Sequence, residues 1–135
     1  MASTTFSGPV TSTTGFVGSV TGSITGNVTG NVTGNLTGYV IGTVTTRSGA
    51  GAVPITHAAV KLTTTAADAL TLANGTNGQI LTITMIVDGG DGTLTPTTKT
   101  GYTTITFGDV GDSVTLQYYT TQGWMILANN GCTVA

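Results

Sequence analysis

The chain has 135 residues, among them 33 Thr and 21 Gly, and only eight charged side chains with a net charge of −2. That balance excludes capture of a phosphate backbone, which needs a basic stripe, and the scarcity of Glu, Lys, Gln and Arg excludes a helical surface. No run approaches the ~20 apolar residues of a membrane helix, and no Sec signal is expected, because Met1–Val20 has neither a basic nor an apolar leader region.

From Ser19 the chain repeats with a period of four: Ser19-Val20-Thr21-Gly22, Ser23-Ile24-Thr25-Gly26, Asn27-Val28-Thr29-Gly30, Asn31-Val32-Thr33-Gly34, Asn35-Leu36-Thr37-Gly38, and a degraded Tyr39-Val40-Ile41-Gly42. Four is twice the strand period, so an extended chain places Val20, Ile24, Val28, Val32, Leu36 and Val40 on one face together with the glycines, and Thr, Ser and Asn on the other. A helix would smear this pattern around its axis, and each Gly would cost it about 0.8–1 kcal/mol. A strand this long needs ladder partners. Identical chains side by side supply them, with the apolar face as the assembly interface and three-fold closure, a homotrimer, as the simplest shaft. The Asn-X-Thr triplets at Asn27, Asn31, Asn35 and Asn74 match a glycosylation acceptor but are read as by-products of the repeat.

Composition shifts after Thr46. Residues 1–46 form the repeat shaft or assembly arm, 47–56 a small-residue linker ending near Pro54, and 57–135 an antiparallel β lobe. Strands are expected at His57–Leu62, Ala69–Leu72, Gln79–Val87, Thr93–Thr95, Tyr102–Phe107, Ser113–Tyr119, Trp124–Leu127 and Cys132–Val134, separated by Asn-Gly, Asp-Gly and Gln-Gly turns. The fold class is all-β, an extended shaft followed by a small antiparallel sandwich or jelly-roll-like lobe. Its core is expected to hold Leu81, Ile83, Met85, Val87, Ile105, Phe107, Val114, Leu116 and Trp124.

Sites that carry chemistry are sparse. His57 and Cys132 are the only His and Cys, too few for a zinc site and isolated for a nucleophile–base pair. Asp88 and Asp91, or Asp109 with Asp112, lack the spacing of a calcium loop and read as hairpin turns. The Gly-rich repeat lacks the Gly-Lys-Ser/Thr of a phosphate loop. Trp124, Tyr118 and Tyr119 could stack on a sugar, but a buried aromatic anchor is the preferred role. No catalytic residue, metal or cofactor is assigned.

Asp68–Gly75, Gly78–Ile83, Asp88–Pro96, Thr104–Leu116, Gly123-Trp124 and Asn129–Gly131 together resemble a module of tailed-phage virion proteins, small structural proteins of marine and cyanobacterial phages. The Gly-X-Val-Thr-Gly repeat is similar to N-terminal segments on such proteins. The resemblance implies a trimeric virion component, made in the host cytoplasm, at the capsid surface or on a fibre, and transfers no catalytic residues. The expected function is a capsid decoration protein that binds the major capsid protein and stabilises the shell. The alternative is a short head or tail fibre whose C-terminal lobe binds a host glycan through Tyr102 and Trp124. No nucleic acid or membrane partner is expected.

Overall fold

The structure, a computed structural model, describes residues 37–135. Val20, Ile24, Val28, Val32 and Leu36, and with them the repeat up to Leu36, lie outside the described residues.

Short runs in which apolar and hydroxyl-bearing side chains alternate become ten strands: β1 Val44–Ser48, β2 Gly51–Ala52, β3 Ala59–Thr63, β4 Asp68–Leu72, β5 Ile80–Val87, β6 Gly92–Pro96, β7 Ile105–Phe107, β8 Ser113–Tyr119, β9 Gly123–Asn130 and β10 Thr133–Val134. They form two five-stranded sheets, in the orders β1-β3-β5-β8-β9 and β10-β7-β6-β4-β2. The chain changes sheet after each of the first five strands. β1, β3 and β5 stack parallel in one sheet, and β2, β4 and β6 stack parallel in the other. The pairs β1–β2, β3–β4 and β5–β6 are thus three turns of a flattened coil. The remaining strands are antiparallel: β7 on β6, β10 on β7, β8 on β5 and β9 on β8.

The all-β class stands, but the antiparallel pairing expected throughout the lobe is corrected: both sheets are mixed and neither closes into a barrel. The reason lies in the turns. Asp88-Gly89-Gly90-Asp91 does not fold a hairpin but carries the chain from β5 in one sheet to β6 in the other. Its glycines are needed because successive corners stack. A Cβ on Gly89 would sit 2.6 Å from the Thr64 carbonyl oxygen, and one on Gly90 would sit 2.6 Å from the Ala66 carbonyl carbon. The Gly89 N–H donates to Thr64 Oγ1 at 3.0 Å, the Thr64 N–H to the Val87 carbonyl at 3.0 Å and the Gly49 N–H to the Thr63 carbonyl at 2.9 Å. Turn is tied to turn along the coil axis. Local sequence cannot distinguish a corner from a hairpin, because both want Gly and Asp.

The apolar side of each strand meets one core between the sheets. Leu81, Ile83, Met85, Ile105, Phe107, Val114, Leu116 and Trp124 are buried there. Val60, Leu62, Leu70, Leu72, Leu94 and Tyr118 join them. Val87 does not: it is 47 % exposed. The β3–β5 pairing slips between Leu62 and Thr63, and Val87 falls beyond the slip at the strand's end. The stretch 47–56 is not a bare linker, since it holds the end of β1 and all of β2 and buries Val53 in the core.

Candidate functional site

The turn residues that suggested chemistry hold the corners. Asp112 is buried. Its Oδ2 accepts from the N–H groups of Gly108 (2.8 Å) and Asp109 (3.1 Å), and a Cβ on Gly131 would collide with its Oδ1. Asp68, also buried, accepts from the Thr65 N–H at 2.9 Å, and Asp88 from the Gly90 N–H at 2.8 Å. These carboxylates satisfy turn amides, which is what short acidic side chains do in tight turns. All five acids lie on or beside the corners at one end of the lobe, and Lys99 lies in a loop at the other. Among the described residues no three His, Cys, Asp or Glu side chains converge as a metal site would require.

His57 precedes β3, and its Nδ1 is 3.1 Å from Thr56 Oγ1. Cys132 follows β9, and in the first sheet β5 and β8 lie between β3 and β9. Burial first, and the nearby Asp112 charge second, push the Cys132 thiol up to about 11 against a backbone hydrogen bond that lowers it. The thiol stays protonated at neutral pH and is a poor nucleophile.

The aromatic residues are also structural. Trp124 is fully buried. Its Nε1–H donates to the Ala73 carbonyl at 2.8 Å, and its ring meets Tyr118 edge-on at 5.3 Å. The Tyr102 hydroxyl donates to the Trp124 carbonyl at 3.1 Å, and burial pushes its pKa up to about 12. Trp124 offers no ring face to a sugar, and Tyr102 is half-buried with its hydroxyl bonded to the Trp124 carbonyl.

The outward faces of the two sheets are nearly neutral. Pairing puts Ala69, Thr93, Thr106 and Thr133 in one row on the outside of the second sheet, and Ala52, Thr71 and Thr95 in the next. Thr93 and Thr106 share a hydroxyl contact at 3.4 Å. On the first sheet the outward rows are Val44-Ala59-Thr82-Thr115-Ala128 and Thr46-Lys61-Thr84-Ser113-Asn130. Lys61 is the one charge in these four rows.

Of the six residues assigned to the assembly interface, only Val40 falls among the described residues, and it is 79 % exposed between Tyr39 (100 %) and Ile41 (91 %). Two features escaped the sequence reading. β1 and β2, the first turn of the coil, are edge strands with no outer partner among the described residues. Arg47 points inward from β1 in register with Leu62 and Met85, with Nε buried and without a hydrogen-bond partner among the described residues. The signal was there: Arg47 is the first charge in the chain and occupies the inward parity of its strand.

No family model and no curated protein matches the chain.

Proposed function

We propose that the chain is a non-enzymatic structural protein of a virion, a capsid decoration protein that associates as a homotrimer and stabilises the shell by bridging neighbouring capsid subunits. The observation that carries this reading is the N-terminal stretch of 46 residues without one charged side chain, patterned with Val, Ile or Leu on a single strand face. Such a segment has nothing to desolvate at high cost when it packs against a neighbour, and left unpaired it is an aggregation hazard. A permanent partner fits both facts. The neutral Thr, Ala and Ser rows of the lobe fit a chain that spends its life among close neighbours better than one that diffuses alone, since isolated soluble domains carry far more surface charge.

The test is removal of residues 16–46 followed by rebinding to shells that lack the protein. Loss of occupancy, with loss of the shell's added resistance to heat, is the expected result. Undiminished occupancy and undiminished resistance refute bridging by the repeat. Copy number separates the fibre alternative: hundreds of copies per particle fit decoration, a few to tens fit a fibre.

A further inference from the structure

We propose that the exposed segment Gly38–Ile41 of one copy docks along the β1 edge of a neighbouring copy, an edge without cover among the described residues, closing the open first turn of its coil. This deepens the proposed self-association and rests on it.

The two edges of the first sheet differ. At the far edge, the start of β9 is held by the loop after β6: Trp124 N–H donates to the Thr98 carbonyl at 2.9 Å, and Thr100 Oγ1 donates to the carbonyl of Gln122, just before the strand, at 2.8 Å. At the near side, β1 has no such cover among the described residues. The Thr43 carbonyl accepts from Ala58 and Ala59, and the Gly49 N–H donates to Thr63, so at both ends of β1 these residues face β3. Alternation in a parallel ladder gives Thr45 and Arg47 the same direction and turns the N–H and C=O groups of Val44, Thr46 and Ser48 outward. A wound β structure with an unpaired terminal turn needs a cap. The buried, unpartnered Nε of Arg47, beside Gly51 in that same turn, marks a place where an acceptor is missing.

The sequence names the cover. In the three copies from Asn27 to Gly38 the polar face carries Asn and Thr. In the last copy those two positions become Tyr39 and Ile41. The face that is polar elsewhere turns apolar at the point where the repeat reaches the lobe, and both side chains are almost fully exposed on their own lobe. The segment cannot serve its own β1. It runs through Gly42 and Thr43 into Val44, continuing the line of the strand, and has no turn with which to double back. In a cyclic assembly each copy's segment can instead lie on the next copy's edge, a head-to-tail contact that closes.

The experiment is amide hydrogen exchange on the full chain, with mass measured by light scattering. In the wild type the Val44, Thr46 and Ser48 amides are expected to exchange at least ~tenfold more slowly than unpaired amides. Thr46→Pro removes only an outward-facing donor, which an edge strand tolerates, and should abolish protection at Val44 and Ser48 while Leu81 and Leu116 stay protected. Tyr39→Lys with Ile41→Lys, which leaves β1 and Val40 untouched, should abolish it at all three. Unprotected β1 amides in a wild-type multimer overturn the docking and leave the proposed self-association standing. A monomer overturns both. Protection that survives Tyr39→Lys with Ile41→Lys assigns the cover to another segment and overturns the docking.

Discussion

The wound half of the lobe, β1 to β6, and the closing half, β7 to β10, bury the same kinds of side chain by different means. In the wound half each strand finds its neighbour one full turn away in sequence, and Thr64, Gly89 and Gly90 decide whether corners can stack. In the closing half β8 and β9 are a tight hairpin through Thr120–Gln122, with Tyr119 opposite Gly123, and a single large residue, Trp124, ties β9 to the loop after β4. The difference teaches that a winding depends on close backbone contact at its corners, whereas a hairpin closure depends on its side-chain anchor.

The largest expected effect is therefore Trp124→Ala. It should destabilise the lobe by about 3–5 kcal/mol, and Leu62→Ala in the wound half by about 2–5 kcal/mol, both read from urea midpoints. A shared single transition would show one cooperative unit across both halves. A second transition in Leu62→Ala alone would show that the coil and its closure melt separately. Next comes Gly89→Ala, expected to lower stability by about 1–3 kcal/mol because the new methyl must displace the Thr64–Thr65 corner. Gly78→Ala is its comparison: at φ +83 it is strained, but nothing lies near its Cβ, so a loss of about 1 kcal/mol is expected from backbone alone. Equal losses would remove the claim that corner stacking is special.

The smallest effect is at alkaline pH and belongs to the closing half. Cys132 moves from 9.0 to about 11 on folding and Tyr102 from 10.0 to about 12. Both are raised in the folded state, where the neutral form is held. Their contribution is complete below the unfolded values and is lost as pH climbs through about 9 to 11 for the thiol and about 10 to 12 for the phenol. Thermal melts of Cys132→Ala should show a shallower decline between pH 9 and 11 than the wild type. An unchanged slope would place the alkaline sensitivity elsewhere.

Much of the lobe was legible in the sequence. Strand positions from β3 on followed from period two, whereas β1 and β2 fell in the stretch read as arm and linker, and Leu81, Ile83 and Met85 are buried against outward Thr82 and Thr84 as alternation requires. Pairing direction was not legible, because Asp88–Gly92 is equally good chemistry for a hairpin and for a corner, and only the Thr64 backbone lying against Gly89 decides. Val87 was misplaced because a slip between Leu62 and Thr63 is a property of two strands, invisible in either one. Trp124 was misjudged for a similar reason: it sits in polar, turn-rich sequence, yet the loops after β4 and β6 fold over it, the second of them carrying Tyr102, whose hydroxyl donates to the Trp124 carbonyl.

The coil also sets an order of events during synthesis. β1 and β2 are the first strands to emerge, yet their partners among the described residues are β3 and β4, which in turn rest on β5 and β6. Pairings across whole turns are slow to close, while a hairpin such as β8–β9 forms in roughly 1–10 μs. The fastest element of the lobe therefore leaves the ribosome after everything it must template. Until β3 and β4 have followed, β1 and β2 wait without them, and neighbouring nascent chains on one message are partners within their reach.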